Sequence, residues 1–292
     1  MNTTLTNRSK IVLIGPDQPF VMIGERINPT RRKKLAETMA QGDYSVALED
    51  ARRQIEAGGQ VLDVNAGIPG GDEPALLRGV TEALLAETDT PLCFDSANPE
   101  ALAAALSIYP GKALINSTTA EASMMEKVFP LAKQYGAAVI GVITDESGIP
   151  ATAEDRLAVA AKLVRRAGDY GIPPEDILID CLALTVGADH KAGQVTLDAM
   201  ALVQKELGVN LSLGASNVSY GLPDRKIINT AYLALAVGRG MTAAITDPTV
   251  PEIRTTLLAC DLLMGRDEYS MHWIKAYRKR LKAAEAQAKA QQ

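Results

Sequence analysis

At 292 residues, with 47% apolar and 22% charged side chains, the chain has material for one large core or two ordinary ones and no composition typical of disorder. A formal net charge of −5 excludes the basic surface that a phosphate backbone demands, so nucleic acid is not expected as a partner. No apolar run reaches the roughly 18 residues of a membrane span, and the opening MNTTLTNRSK lacks the apolar centre of a signal peptide, so the expected compartment is the cytoplasm, with no membrane partner.

The chain opens with two short apolar stretches, 11–15 and 20–23, around the turn-forming Gly-Pro-Asp-Gln-Pro, which predicts a small hairpin within a distinct segment, 1–20. Eight β-branched apolar runs follow at 21–28, 60–67, 91–97, 113–118, 138–145, 177–184, 211–219 and 241–248. Between and after them lie segments of helical period at 43–58, 74–87, 99–107, 120–136, 154–171, 194–208, 223–240 and 251–265. Proline opens several of these and glycine closes several. Proline has no amide proton to leave unpaired in the first turn, and glycine takes the left-handed stop without a steric penalty.

Eight strand–helix units in about 250 residues predict a single-domain (β/α)₈ barrel (TIM barrel) of the α/β class, here 21–266, with the 1–20 hairpin against its floor. A doubly wound open sheet is the alternative, but it needs a glycine-rich phosphate turn after the first strand, and GERINPT is not one. Residues 267–292 read as a last helix that frays into a solvated tail, AEAQAKAQQ. Cys93, Cys181 and Cys260 are widely spaced and odd in number, which suits core positions better than a disulfide framework or a zinc knot.

Barrel enzymes carry their working residues where strands end, because the following loops converge there on the axis. Each run here turns polar at its end: Glu25, Arg26 and Asn28; Asp63 and Asn65; Asp95 and Ser96; Asn116, Ser117 and Thr118; Asp145; Asp180; Ser216 and Asn217; Thr246 and Asp247. Any one of these can be a helix cap. A full ring of them at the mouth of an apolar cylinder points to a polar ligand that compensates their burial.

The make-up of the ring limits that ligand. It contains no histidine, so zinc is not expected; magnesium could use Asp95 or Asp63 but is not required, and no metal site is assigned. His190, in a loop, and His272, in the last helix, are the only histidines, so no Ser-His or Cys-His pair can be built for acyl transfer. Carboxylates accept paired N–H bonds and carboxamides both donate and accept, a set that suits a flat aminopyrimidine edge such as a reduced pterin.

The strings GERINPT, DVNAG, FDSANPEAL, INSTT, TDESGIP, LIDCLAL and GASNVSYGLPDR occur in order along the chain. Together they resemble the pterin-binding methyltransferases, that is, the methyltetrahydrofolate:corrinoid protein methyltransferases and the folate domain of cobalamin-dependent methionine synthase. The resemblance implies that Asp95, Asn116 and Asp180 hold the pterin ring and that Asn217 approaches the methyl-bearing N5. Asn217 would be backed by water and by Asp145 or Asp180. Asn28, Asp63, Asn65 and Arg225 occupy similar motif positions in less definite roles.

The implied reaction moves a methyl group between N5 of tetrahydrofolate and the cobalt of a corrinoid, in a direction the sequence does not fix. The corrinoid belongs on a separate partner protein, because the nearest string to a cobalamin-binding Asp-x-His-x-x-Gly, Asp189-His190-Lys191-Ala192-Gly193, misses the spacing. A homodimer is implied by the same resemblance. Dihydropteroate synthase is the enzymatic alternative, but this chain has Ser216-Asn217-Val218 and Thr246-Asp247-Pro248 where that family places cations for pyrophosphate. A non-catalytic folate-binding subunit of a methyl-transfer complex is the other.

Overall fold

In the computed structural model, which describes residues 1–290, the chain is a (β/α)₈ barrel. A hairpin of β1 (Thr3–Asn7) and β2 (Lys10–Ile14) precedes it. The barrel strands are β3 (Val21–Ile27), β4 (Val61–Val64), β5 (Leu92–Asp95), β6 (Leu114–Thr119), β7 (Ala138–Val142), β8 (Ile177–Asp180), β9 (Asn210–Ser212) and β10 (Ala243–Thr246). They pair in parallel in the order β10-β3-β4-β5-β6-β7-β8-β9. Closure between the last two comes from the Gly214–Ile245 bridge and the Ile245 amide donating to the Leu213 carbonyl at 2.9 Å.

The helices around the barrel are α1 (Lys33–Ala40), α2 (Ser45–Glu56), α3 (Glu73–Glu87), α4 (Pro99–Leu106), α5 (Ala122–Tyr135), α6 (Ala153–Asp169), α7 (Ala192–Leu207), α8 (Arg225–Val237) and α9 (Pro251–Leu263), followed by α10 (Met271–Ala290). Their ends follow from local chemistry. Asp72 and Thr152 accept amide protons at the starts of α3 and α6, proline opens α4 and α9, and Gly136 and Gly208 end α5 and α7 in the left-handed region.

Side chains alternate between two cores, as the pleat requires. Leu62, Phe94, Ile115, Val139, Ile179, Leu211 and Ala244 face the helices, whereas Ile23, Val61, Cys93, Leu114, Ile140, Leu178 and Ala243 fill the barrel. Leu5, Val12 and Ile14 of the hairpin join that inner core from below. Asn210 ties them in, donating to Thr3 Oγ1 and to the Ile14 carbonyl at 2.9 Å each.

Several boundaries differ from the sequence reading. The hairpin is β1 with β2, turning at Arg8-Ser9, not 11–15 with 20–23, because the 20–23 stretch already pairs with β10 as a barrel strand. α1 has no counterpart in the reading, since 33–40 carries only two buried residues, Leu35 and Met39, and so shows little apolar period. The seventh strand stops at Ser212, and 215–219 turns as a 3₁₀ helix (Ala215–Ser219). α10 continues as helix through Ala290, where fraying was expected; the last two residues of the expected tail, Gln291 and Gln292, lie outside the described residues.

Candidate functional site

The phase that places Cys93, Leu114 and Leu178 inside the barrel also aims the residues two positions further along each strand toward its mouth. Asp63 pairs in register with Cys93, Asp95 with Asn116, and Asp180 with Ser212. Side chains paired this way share a face of the sheet, so the strands themselves set this polar layer above the apolar one. The register slips by one residue beyond Asn116, where the Asn116–Ser117 peptide is cis.

Two hydrogen-bonded groups make up one side of the mouth. Asp95 Oδ2 accepts from Asn65 Nδ2 at 3.0 Å and from Asn28 Nδ2 at 3.5 Å, while Asp63 Oδ1 accepts from Asn116 Nδ2 at 3.1 Å. Burial, and then the mutual repulsion of these two carboxyls, holds Asp63 well above the usual carboxylate range. Asp95 is raised too, chiefly by burial and against the pull of Asn65.

Asp180, across the mouth, is buried and accepts the Leu182 amide at 2.7 Å. Burial pushes its carboxyl up to about 6 despite that bond and the approach of the Gly214 amide. Beside it the Ser212 hydroxyl is buried without a hydrogen-bond partner. An orphaned inner hydroxyl next to carboxyls of raised pKa is a set that a polar ligand edge satisfies.

Asn217 lies on the 3₁₀ turn and is exposed, its Nδ2 folded over Gly214 so closely that a β-carbon there would stand 3.1 Å away. Arg225, at the start of α8, grips this turn: its Nη2 donates to the Ser216 carbonyl at 2.7 Å and its Nε to Ser219 Oγ at 3.0 Å. Tyr220 is exposed on the rim with the Arg31 and Arg225 guanidiniums 5.5 and 5.9 Å from its ring centre.

The structure therefore brings together Asn28, Asp63, Asn65, Asp95, Asn116 and Asp180, with Asn217 on the neighbouring turn and Arg225 of α8 bonded to that turn. Among the described residues, Asp145 shares no hydrogen bond with these side chains. β7 ends at Val142, and Asp145 Oδ1 accepts the Ser147 amide at 2.8 Å to close its own tight turn. Among the described residues, no group of three or more His, Cys, Asp or Glu is arranged to hold a metal ion.

Three further residues bear on the site. Glu25, two positions past the inner Ile23, has Ser216 Oγ at 3.5 Å and is raised to about 7, first by burial and then by Asp247. Arg26 reaches Asp247 at 3.7 Å. Arg156 of α6 is fully buried and fixes the loop after Asp180, donating to the carbonyls of Cys181 at 2.9 Å and Leu182 at 3.2 Å and to Thr196 Oγ1 at 2.9 Å. Its sequence signal was its position on the apolar stripe Arg156, Val159, Ala160, Leu163.

Residues 24–247 match the family model described as pterin binding enzyme. The chain is 29% identical over 265 residues to the methylcorrinoid:tetrahydrofolate methyltransferase of Eubacterium limosum, covering 89% of this chain and 96% of that protein. It is 31% identical over 238 residues to the methionine synthase of Mycobacterium leprae (strain TN), covering 77% of this chain but only 20% of that much longer protein.

Solved structures give the same fold. Dihydropteroate synthase of Xanthomonas albilineans in complex with 7,8-dihydropteroate superposes with a TM-score of 0.65 at 19% identity, over 89% of this chain and 98% of that one. The 7,8-dihydropteroate synthase of Vibrio fischeri ES114 gives 0.68 at 17%, over 90% and 98%. At such identities the likeness concerns architecture, which many activities share.

Proposed function

Because this chain belongs to the pterin binding enzymes, we propose that it transfers a methyl group from a methylcorrinoid, carried by a separate protein, to N5 of tetrahydrofolate. The observation that carries this reading is the inward-facing layer of Asp63, Asp95, Asn116 and Asp180 at the barrel mouth, in a chain similar along nearly its whole length to a protein of that activity. The barrel, 21–266, is the folate-binding unit, with 1–20 as its floor and 267–292 as an appended segment that carries α10. The working protein is a cytoplasmic homodimer that receives the corrinoid protein over the mouth.

Within that reading the residues divide by geometry. Asp95, Asn116 and Asp180 lie where the donors and acceptors of an aminopyrimidine edge can replace water, and a pterin N–H satisfies the ionised carboxylate that burial penalises. Asn28, Asn65 and Asp63 hold those side chains in place through the bonds described above. Asn217, on the turn that Arg225 clamps, would supply the carboxamide that bonds N5 as the methyl group arrives. No covalent enzyme intermediate is required.

Pyrophosphate chemistry of the dihydropteroate synthase kind is disfavoured by charge. Glu25 and Asp247 face one another beside the seventh turn, and Arg26 is already engaged by Asp247. A leaving pyrophosphate would meet carboxylates there.

The test is spectroscopic. The protein is mixed with tetrahydrofolate and methylcobalamin, free or on a small corrinoid protein, and the cobalt absorbance is followed. Loss of the methylcobalt band with formation of 5-methyltetrahydrofolate is the expected result. Folate binding with no change at cobalt would make the protein a carrier instead.

A further inference from the structure

Methyl transfer to tetrahydrofolate releases a proton. The N5 lone pair forms the new N–C bond, the Co–C bond breaks with its electron pair left on cobalt, and the hydrogen of the secondary amine must leave as H⁺. In the reverse direction the same proton must return as the N–C bond breaks. A site that performs this needs a group that can hold one proton near neutral pH without giving up the bonds that grip the ring.

Most carboxyls of the mouth are committed. Asp95 accepts from two asparagine amides, Asp63 from Asn116, and Asp180 from the Leu182 amide. Glu25 differs: among the described residues no backbone or side-chain N–H donates to it, and its one hydrogen-bond neighbour is the Ser216 hydroxyl at 3.5 Å. Ser216 immediately precedes Asn217 on the 3₁₀ turn, so Glu25 stands behind the residue nearest the proposed reacting nitrogen.

Building on the methyltransferase reading, we propose that Glu25 is the group that accepts the proton released from N5 in methyl transfer and returns it when transfer is reversed. The groups facing it come from every neighbouring element: Arg26 on β3 itself, Asp63 on β4, Ser216 on the turn, Arg225 on α8 and Asp247 after β10. Burial and Asp247 raise its carboxyl, Arg26, Ser216 and Arg225 oppose them, and the balance lies at about 7. A carboxyl at that balance is ionised often enough to accept a proton and protonated often enough to donate one.

The sign of the pH dependence follows. Transfer to tetrahydrofolate needs the carboxylate and should rise with pH through about 7; reverse transfer needs the acid and should fall through the same region.

The test uses the full chain with methylcobalamin and tetrahydrofolate in single turnover between about pH 5.5 and 8.5. Glu25→Gln should slow transfer by about 10²-fold and abolish the acid limb, while the folate Kd changes by less than about 3-fold. Glu25→Asp should restore the limb in part.

A readout independent of turnover is the infrared C=O absorption of carboxylic acids: the difference between the unmodified protein and Glu25→Gln should show one acid band titrating near pH 7, over the shared bands of Asp63, Asp95 and Asp180. If Glu25→Gln keeps the original rate and pH profile, or loses rate only in proportion to folate affinity, the proton role is overturned while the methyltransferase reading stands. If the unmodified protein leaves cobalt unchanged, the methyltransferase reading itself falls, and this proposal with it.

Discussion

In the proposed reaction, Asn217 and Asp180 take different tasks at one mouth. Asp180 is buried and bonded to its own loop, so it is suited to holding a ring; Asn217 is exposed on a turn and is suited to following a bond as it changes. Asp180→Ala should therefore weaken folate binding by about 1–3 kcal/mol, the range for removing a buried hydrogen-bond partner. Asn217→Ala should lower the transfer rate by about 10²-fold, as for loss of one transition-state donor, with little change in Kd. Equal losses of rate and affinity in Asn217→Ala would show that it acts in binding alone. The positions of Asp63, Asp95, Asn116 and Asp180 were legible in the sequence because each follows an apolar strand in phase with it. The importance of Glu25 was not, because it arises from Ser216 and Asp247, brought close only by closure of the barrel. Nor was the Asp145 turn legible: in sequence, a polar residue after a strand looks the same whether or not its side chain bonds its own loop.

At the scale of elements, helix α6 supports the site from behind. Arg156 uses its guanidinium to hold the carbonyls of Cys181 and Leu182, the latter in the left-handed region at φ 54°. Arg156→Met would keep the stem in the core but take the donor from the Cys181 and Pro150 carbonyls, leaving Leu182 held only by Thr196. The expected loss is about 2–4 kcal/mol of unfolding free energy, with weaker folate binding because the loop that fixes Asp180 is released. A denaturant midpoint equal to that of the unmodified protein would show that water replaces the guanidinium at no cost. The strand reading ran long at β7, β8 and β9 because apolar residues such as Ile143, Cys181, Leu182 and Leu213 continue past the last ladder bond; composition does not show where pairing stops. The hairpin was misassigned because Phe20 and Val21 are as apolar as Ile11 and Val12, and only the pairing of β3 with β10 separates them.

For the whole molecule, the count of eight units was enough to give the barrel, since strand–helix alternation of that length has few other closed arrangements. The barrel in turn dictates which end is chemical. The hairpin seals the floor with Leu5, Val12 and Ile14, and the carboxyls lie at the opposite mouth. The helix α10 was legible as a helix but not in extent, because alanine-rich sequence is helical by propensity with little core to anchor it. The most direct measurement is a crystal structure of the protein with tetrahydrofolate bound. The pterin edge should lie on Asp95, Asn116 and Asp180 with N5 turned toward Asn217. A pterin seated anywhere else, with those four side chains bonded only to the protein and water, would contradict the account.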